Sequence, residues 1–182
     1  DALTALPEEG SQNTAIGYNA LAAHNVDGDG RNTAVGAVAG AALTSGTKNV
    51  AIGKGSLATS TTALKCIAIG DSAMSACATG QTQEGTIAIG TDALKQNTTG
   101  ARNVVVGSYA FDQSSGSGAI ASSDNVAIGN SAMGGDFVDD AASNYNVAVG
   151  GSAFSGALDG ALQNTAIGHS ALDAVTEGDY NT

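Results

Sequence analysis

Four groups of residues carry side chains of the kind that do chemistry. His24 and His169 are the only imidazoles, and Cys66 and Cys77 the only thiols. The stretch Asp27-Gly-Asp29-Gly-Arg31-Asn32 alternates oxygen ligands as the start of a calcium loop does. Asp136, Phe137, Asp139, Asp140 and Tyr145 combine carboxylates with scarce aromatics. Catalysis needs a nucleophile, a base and an orienting group that converge. No Ser-His-Asp arrangement, paired-carboxylate signature or phosphate loop can be assembled here, so no catalytic residue is assigned and the chain reads as a non-enzyme. Both histidines read as surface residues. The calcium loop is incomplete, because Arg31 occupies its third ligand position and no bidentate Glu follows. Asp27, Asp29 and Asn32 therefore stand as a calcium site against the simpler reading of an acidic turn, and no other cofactor is implied. The two cysteines are too few for a zinc site or a disulfide-stapled mini-domain. They form either one bridge or two buried thiols.

Composition narrows the class of molecule that must position these groups. Of 182 residues 42% are apolar but only 4% aromatic, with 26 glycines, one proline and no tryptophan. Ala, Gly, Val, Ile, Ser, Thr and Asn cannot span a thick interior, which disfavours a conventional globular enzyme. A mean hydropathy of +0.05 and regularly placed Ile and Val disfavour disorder. The formal charge of −11 opposes binding to nucleic acid or anionic lipid. No apolar run is long enough for a transmembrane helix, so no membrane insertion is expected.

The regularity is a repeat. Asn13-Thr-Ala-Ile-Gly-Tyr-Asn-Ala-Leu21 recurs from Asn32, Asn49, Cys66, Thr86, Asn103, Asn125, Asn146 and Asn164, and successive motif glycines lie 17 to 22 residues apart. Periods of this size denote a solenoid in which each coil stacks on its neighbours. The fold class is therefore all-β: a parallel β-solenoid of about ten coils of 17 to 22 residues. It forms one domain over 1–182, with an incomplete first coil at 1–12, nine repeats over 13–180 and the start of a further coil at 181–182.

Numbering each coil from its usual Asn, positions one to four read as a short strand whose alternate residues face opposite sides. The β-branched residues at two and four are assigned to the interior, alongside Leu, Met or Phe at nine. Ala at position three, kept in eight of nine coils, then marks a second close-packed surface. Glycine at five supplies a turn. Positions seven to twelve, as in Ser72-Ala-Met-Ser-Ala76, suit one helical turn or a second short strand.

The strings NTAIGYNAL, NVAIGKGS and NVAVGGSA resemble the head repeats of trimeric autotransporter adhesins and similar phage tail-fibre repeats, over residues 13 to 182. The resemblance implies a left-handed parallel β-roll, three of which associate about an axis, in an extracellular rod on a cell or virion surface that serves structure or adhesion. Ile16-Gly17-Tyr-Asn-Ala20 also resembles the hexapeptide of left-handed β-helix acyltransferases, but those enzymes carry about three hexapeptides per coil and this chain one. An ice-binding array is disfavoured because position two is Thr in only three coils.

Two regions are expected to meet partners. The coils from Asn103 and Asn125 are the longest, and lengthened turns leave stacked strands undisturbed. Their bulge offers Phe137 and Tyr145 to stack on a sugar, with Asp136, Asp139 and Asp140 as hydrogen-bonding groups. A carbohydrate-binding module at a fibre tip, engaging glycans of a host surface, is thus the alternative function. The chain also begins and stops inside repeats. Asp1, Ala2 and Leu3 at one end, and Asn181 and Thr182 at the other, are expected to continue the ladders of another copy, as a head-to-tail filament competing with a lateral trimer. Arg31, Lys48, Lys65 and Arg102 each precede position one, so stacking aligns them along one edge.

Overall fold

The computed structural model describes residues 12–25, 30–76, 83–96, 99–112, 121–135, 142–156, 160–175 and 178–182. Each repeat contributes one three-residue strand: β1 (Thr14–Ile16), β2 (Thr33–Val35), β3 (Val50–Ile52), β4 (Ile67–Ile69), β5 (Ile87–Ile89), β6 (Val104–Val106), β7 (Val126–Ile128), β8 (Val147–Val149) and β9 (Thr165–Ile167). They form one parallel sheet in chain order, paired position for position, as in Thr33 with Val50, Ala34 with Ala51 and Val35 with Ile52. The expected solenoid is therefore present, with nine strands among the described residues and about seven turns rather than ten. The incomplete first coil lies outside the described residues except for Gln12.

Each rung is held to its neighbours beyond the strand as well as within it. In the coil that begins at Asn49, Gly53 N–H donates to Val35 O of the preceding rung at 2.8 Å and Gly55 N–H to Ala37 O at 2.9 Å. Leu57 N–H then donates to Ala73 O of the following rung at 2.9 Å. Among the described residues there is no helix. Positions seven to twelve form neither the helical turn nor the second strand, because positions seven and nine have positive φ in every coil. Ser72 and Met74, at 55° and 51°, are typical. Left-handed residues break helix and strand geometry alike. They wind the chain back while the inter-rung hydrogen bonds continue.

The interior corrects the assignment of faces. In β2 to β9 the buried residue of the strand is the central one, Ala34, Ala51, Ala68, Ala88, Val105, Ala127, Ala148 or Ala166, and in β1 the central Ala15 is partly buried. Positions two and four point outward. Opposite the alanine column stand buried Ala20, Ala73 and Ala132 at position eight, with Leu57, Met74, Leu94, Phe111, Met133 and Phe154 at position nine. One large side chain per coil already fills the gap between the strand wall and the turn wall. A β-branched residue at position three would overfill most rungs, and close-packed interiors resist that.

The asparagine at position one is buried too, and its burial is offset by a ladder. Asn49 N–H and Nδ2 both donate to Asn32 Oδ1, at 2.9 and 3.0 Å, while Asn32 Nδ2 donates to Gly46 O at 2.9 Å. The same bonds recur from Asn125 to Asn146 and from Asn146 to Asn164. Each carboxamide thus satisfies the backbone of the next rung, which makes a polar column tolerable inside.

Candidate self-association face

With alanine and asparagine turned inward, the outer face of the sheet consists of two columns of β-branched side chains. Position two supplies Thr14, Thr33, Val50, Ile67, Ile87, Val104, Val126, Val147 and Thr165; position four supplies Ile16, Val35, Ile52, Ile69, Ile89, Val106, Ile128, Val149 and Ile167. All are partly or fully exposed. Ile16 is 60% accessible, Ile167 71%, and the mid-rod Ile52, Ile89 and Ile128 just under 40%. With rungs about 4.8 Å apart, nine rungs make a strip of roughly 400 Å² in projection. A contiguous apolar patch of that order matches the largest patch on a typical monomer, and such patches are often functional. Its shape is set by covalent geometry, because every outward residue is stiff at χ1 and stacked in parallel register.

The glycine column borders this face and fixes the turn that follows it. At Gly129, φ is 134°, and an added Cβ would lie 2.5 Å from Gly150 O of the next rung. Backbone conformation and backbone approach both demand glycine there.

A charged rim runs along the other border, immediately before position one. Arg31, Lys48, Lys65 and Arg102 occupy it as expected, each with positive φ. Lys65 Nζ lies 2.6 Å from Glu84 Oε1 of the next rung. Arg102 grips Asp124 through Nε at 2.7 Å and Nη2 at 2.8 Å. The hydrogen bond from Lys65 lowers the Glu84 pKa, and that from Arg102 lowers the Asp124 pKa while raising its own. Lys65 and Arg102 are thus matched between rungs of the same chain.

The residues singled out for their chemistry are not brought together as one site. His24 is fully buried, against its reading as a surface residue. It occupies the place that Leu43 fills one rung further on, inside the stack of coils. His169 is exposed, as expected. Asn32 faces inward, with its oxygen held by Asn49, while Asp27 and Asp29 lie outside the described residues. Cys66 is a free buried thiol over the carbonyls of Gln83 and Leu64, at 3.1 and 3.5 Å, and burial pushes its pKa up. Cys77 lies outside the described residues. So do Asp136, Phe137, Asp139 and Asp140, and Asp1, Ala2 and Leu3. Tyr145 stands exposed on the rim one rung beyond Asp124. Asn181 ends the asparagine ladder, its N–H and Nδ2 both donating to Asn164 Oδ1, with Thr182 beside it. Among the described residues no cluster of His, Cys, Asp and Glu is arranged to hold a metal ion.

Fold and surface together define a repetitive β-solenoid with one flat apolar side. No family model, no curated protein and no solved structure matches the chain.

Proposed function

We propose that this protein is a non-catalytic rod that associates with further copies of itself through the outward β-branched face, as part of an extracellular trimeric fibre on a cell or virion surface. The carrying observation is the unbroken double column of Val, Ile and Thr along all nine strands. Such a face costs free energy while it meets water. A second copy offers the same rigid, apolar, regularly spaced surface. The rim supports association side by side where Lys65 is paired with Glu84 and Arg102 with Asp124 within the chain, because those charges are already matched before another copy approaches. Around a three-fold axis each copy turns one such face inward, which accommodates a single apolar side per rod.

Light scattering coupled to gel filtration tests this reading. Wild-type protein is expected to run as a trimer, and the double variant Ile52→Lys/Ile128→Lys as a folded monomer with unchanged β-sheet circular dichroism. A wild-type protein that stays monomeric at tens of micromolar overturns it.

A further inference from the structure

We propose that His24 is an acid-sensitive plug in the first coils of the rod: the folded chain holds it neutral, and its protonation opens the β1 rung. The ring is fully buried at a core position. Its contact with the Asn32 side chain favours the neutral form. Nε2 lies 3.5 Å from Asn32 Nδ2, and that amide cannot turn round, because Asn32 Oδ1 is held by Asn49 N–H and Nδ2 while Asn32 Nδ2 itself donates to Gly46 O. Nε2 therefore faces a donor and must be the accepting nitrogen. Adding a proton there sets two donors against each other. Asn13 Nδ2 close by is buried without a hydrogen-bond partner.

The ring is closely packed on its Gly30 side. Gly30 packs so closely that a Cβ on it would lie 2.5 Å from His24 Nε2 and 2.6 Å from Asn13 Oδ1. Among the described residues, the groups against the ring are Asn13, Gly30, Asn32 and the Leu43 backbone, none of them titratable; Arg31, next to Asn32 in the chain, is exposed. Burial lowers the His24 pKa from its ordinary value, with the Leu43 backbone opposing it more weakly. When folding depresses a histidine pKa, the opened chain takes up the proton first as pH falls. Stability contributed by the neutral ring is present above about 6.5 and is lost between there and the lower folded pKa. The loss falls on the β1 rung, tied to the next through Leu21 N–H to Ala39 O, Ala23 N–H to Ala41 O and Asn25 N–H to Thr44 O. Rungs far from His24 keep their ladder.

Amide hydrogen exchange on the full chain at pH 7.5 and 5.5, with rates corrected for their intrinsic pH dependence, tests this directly. Protection at Leu21, Ala23 and Asn25 is expected to drop threefold to tenfold at the lower pH, while protection at Phe154, bonded to Ala171 O, stays constant. In His24→Leu, which copies Leu43, the drop disappears; in His169→Gln it remains. Equal protection at both pH values in wild type, or an undiminished drop in His24→Leu, overturns the proposal. An NMR titration of the His24 ring in wild type decides the matter even if His24→Leu fails to fold. A midpoint below about 6 supports the plug, and one at or above 6.5 refutes it.

Discussion

Two stretches of the same rod are built on the same backbone but differ along the interior. From Asn103 through Asn125, Asn146 and Asn164 to Asn181, every rung places a carboxamide at position one. Each oxygen accepts from the next rung, as when Asn125 N–H meets Asn103 Oδ1 at 3.0 Å and Asn181 N–H meets Asn164 Oδ1 at 2.9 Å. Between Asn49 and Asn103 the column is broken. Cys66 N–H still donates to Asn49 Oδ1 at 2.9 Å, and the thiol takes over the amide's donor role toward Gln83 O. It offers no carboxamide oxygen to the following rung, and Thr86 Oγ1 is buried without a partner. Yet β3 to β6 pair in unbroken register. The difference teaches that backbone ladders and small-residue packing define the coil, whereas the asparagines reinforce it. At the break the outer edge is also paired: Leu64 bridges to Thr47 and Glu84, and Lys65 pairs with Glu84, as Arg102 does with Asp124 in the continuous stretch.

The largest effect is expected where the two stretches do not differ. Gly70 belongs to the broken stretch and Gly129 to the continuous one, and an added Cβ at either meets the carbonyl of the next motif glycine, Gly90 or Gly150. Gly70→Ala and Gly129→Ala should each destabilise the rod by more than about 3 kcal/mol, from steric overlap and a φ that alanine rarely adopts. Gly168 has nothing within 4 Å of an added Cβ, so Gly168→Ala should retain only the conformational part, about 1 kcal/mol. Urea denaturation of the three variants checks the ranking. A mild Gly129→Ala would show that the column is not what spaces the rungs.

The next effect separates the stretches. Asn146→Ala removes the acceptor of Asn164 N–H and the donor to Ala161 O, both inside the ladder. A buried polar group left unpaired costs about 1 to 3 kcal/mol, so a loss of roughly 2 to 4 kcal/mol is expected in urea. Cys66→Ala removes only a thiol and should cost clearly less. Equal losses would mean that the ladder contributes nothing beyond filling space.

Repairing the break should produce a smaller effect of opposite sign. Cys66→Asn/Thr86→Asn supplies carboxamides at both rungs that lack them and relieves the orphaned Thr86 hydroxyl. A net hydrogen bond contributes about 1 kcal/mol, so a gain of roughly 1 to 2 kcal/mol and a rise of several degrees in Tm are expected by calorimetry. A lower Tm would show that the neighbouring arcs are shaped to the native pair.

Much of this was legible in the sequence, and the chief error has a physical cause. The recurrence of Gly17 and its equivalents revealed the solenoid, its nine strands and the stacking of Arg31, Lys48, Lys65 and Arg102, though not the number of turns. The faces were inverted because Ile and Val usually lie inside and Asn outside. That rule assumes an interior thick enough for branched side chains and a lone asparagine with nothing to bond. Here the interior is one side chain deep, and every asparagine finds the next one. The constancy of alanine at position three was the available signal, since a small residue is fixed only where space is short. The exposed apolar face was missed for the same reason, being the face assigned to the core. Left-handed Leu57, Met74 and Phe111 had no sequence signal, because large apolar residues seldom adopt positive φ and do so here only because burial of their side chains outweighs the strain.

The smallest expected effect lies on the outer edge at the break. Lys65 and Glu84 are each about half exposed, at 54% and 48%, and water and salt screen such pairs. Solvent and salt screen exposed ion pairs strongly, so Lys65→Met should lower stability only slightly in low salt and by nothing measurable in half-molar sodium chloride. The sign with pH follows from Glu84, whose pKa is lowered by the hydrogen bond from Lys65. The pair's contribution is present above the unfolded carboxylate value near 4.5 and fades as pH falls through the lower folded value. The informative measurement is a double-mutant cycle of Lys65→Met and Glu84→Gln made twice, in wild type and in the Cys66→Asn/Thr86→Asn background. If the outer pair stands in for the missing carboxamides, its coupling should shrink once the ladder is complete, because the rungs are then held from within. Coupling of equal size in both backgrounds would leave the pair as surface chemistry, unrelated to the break beneath it.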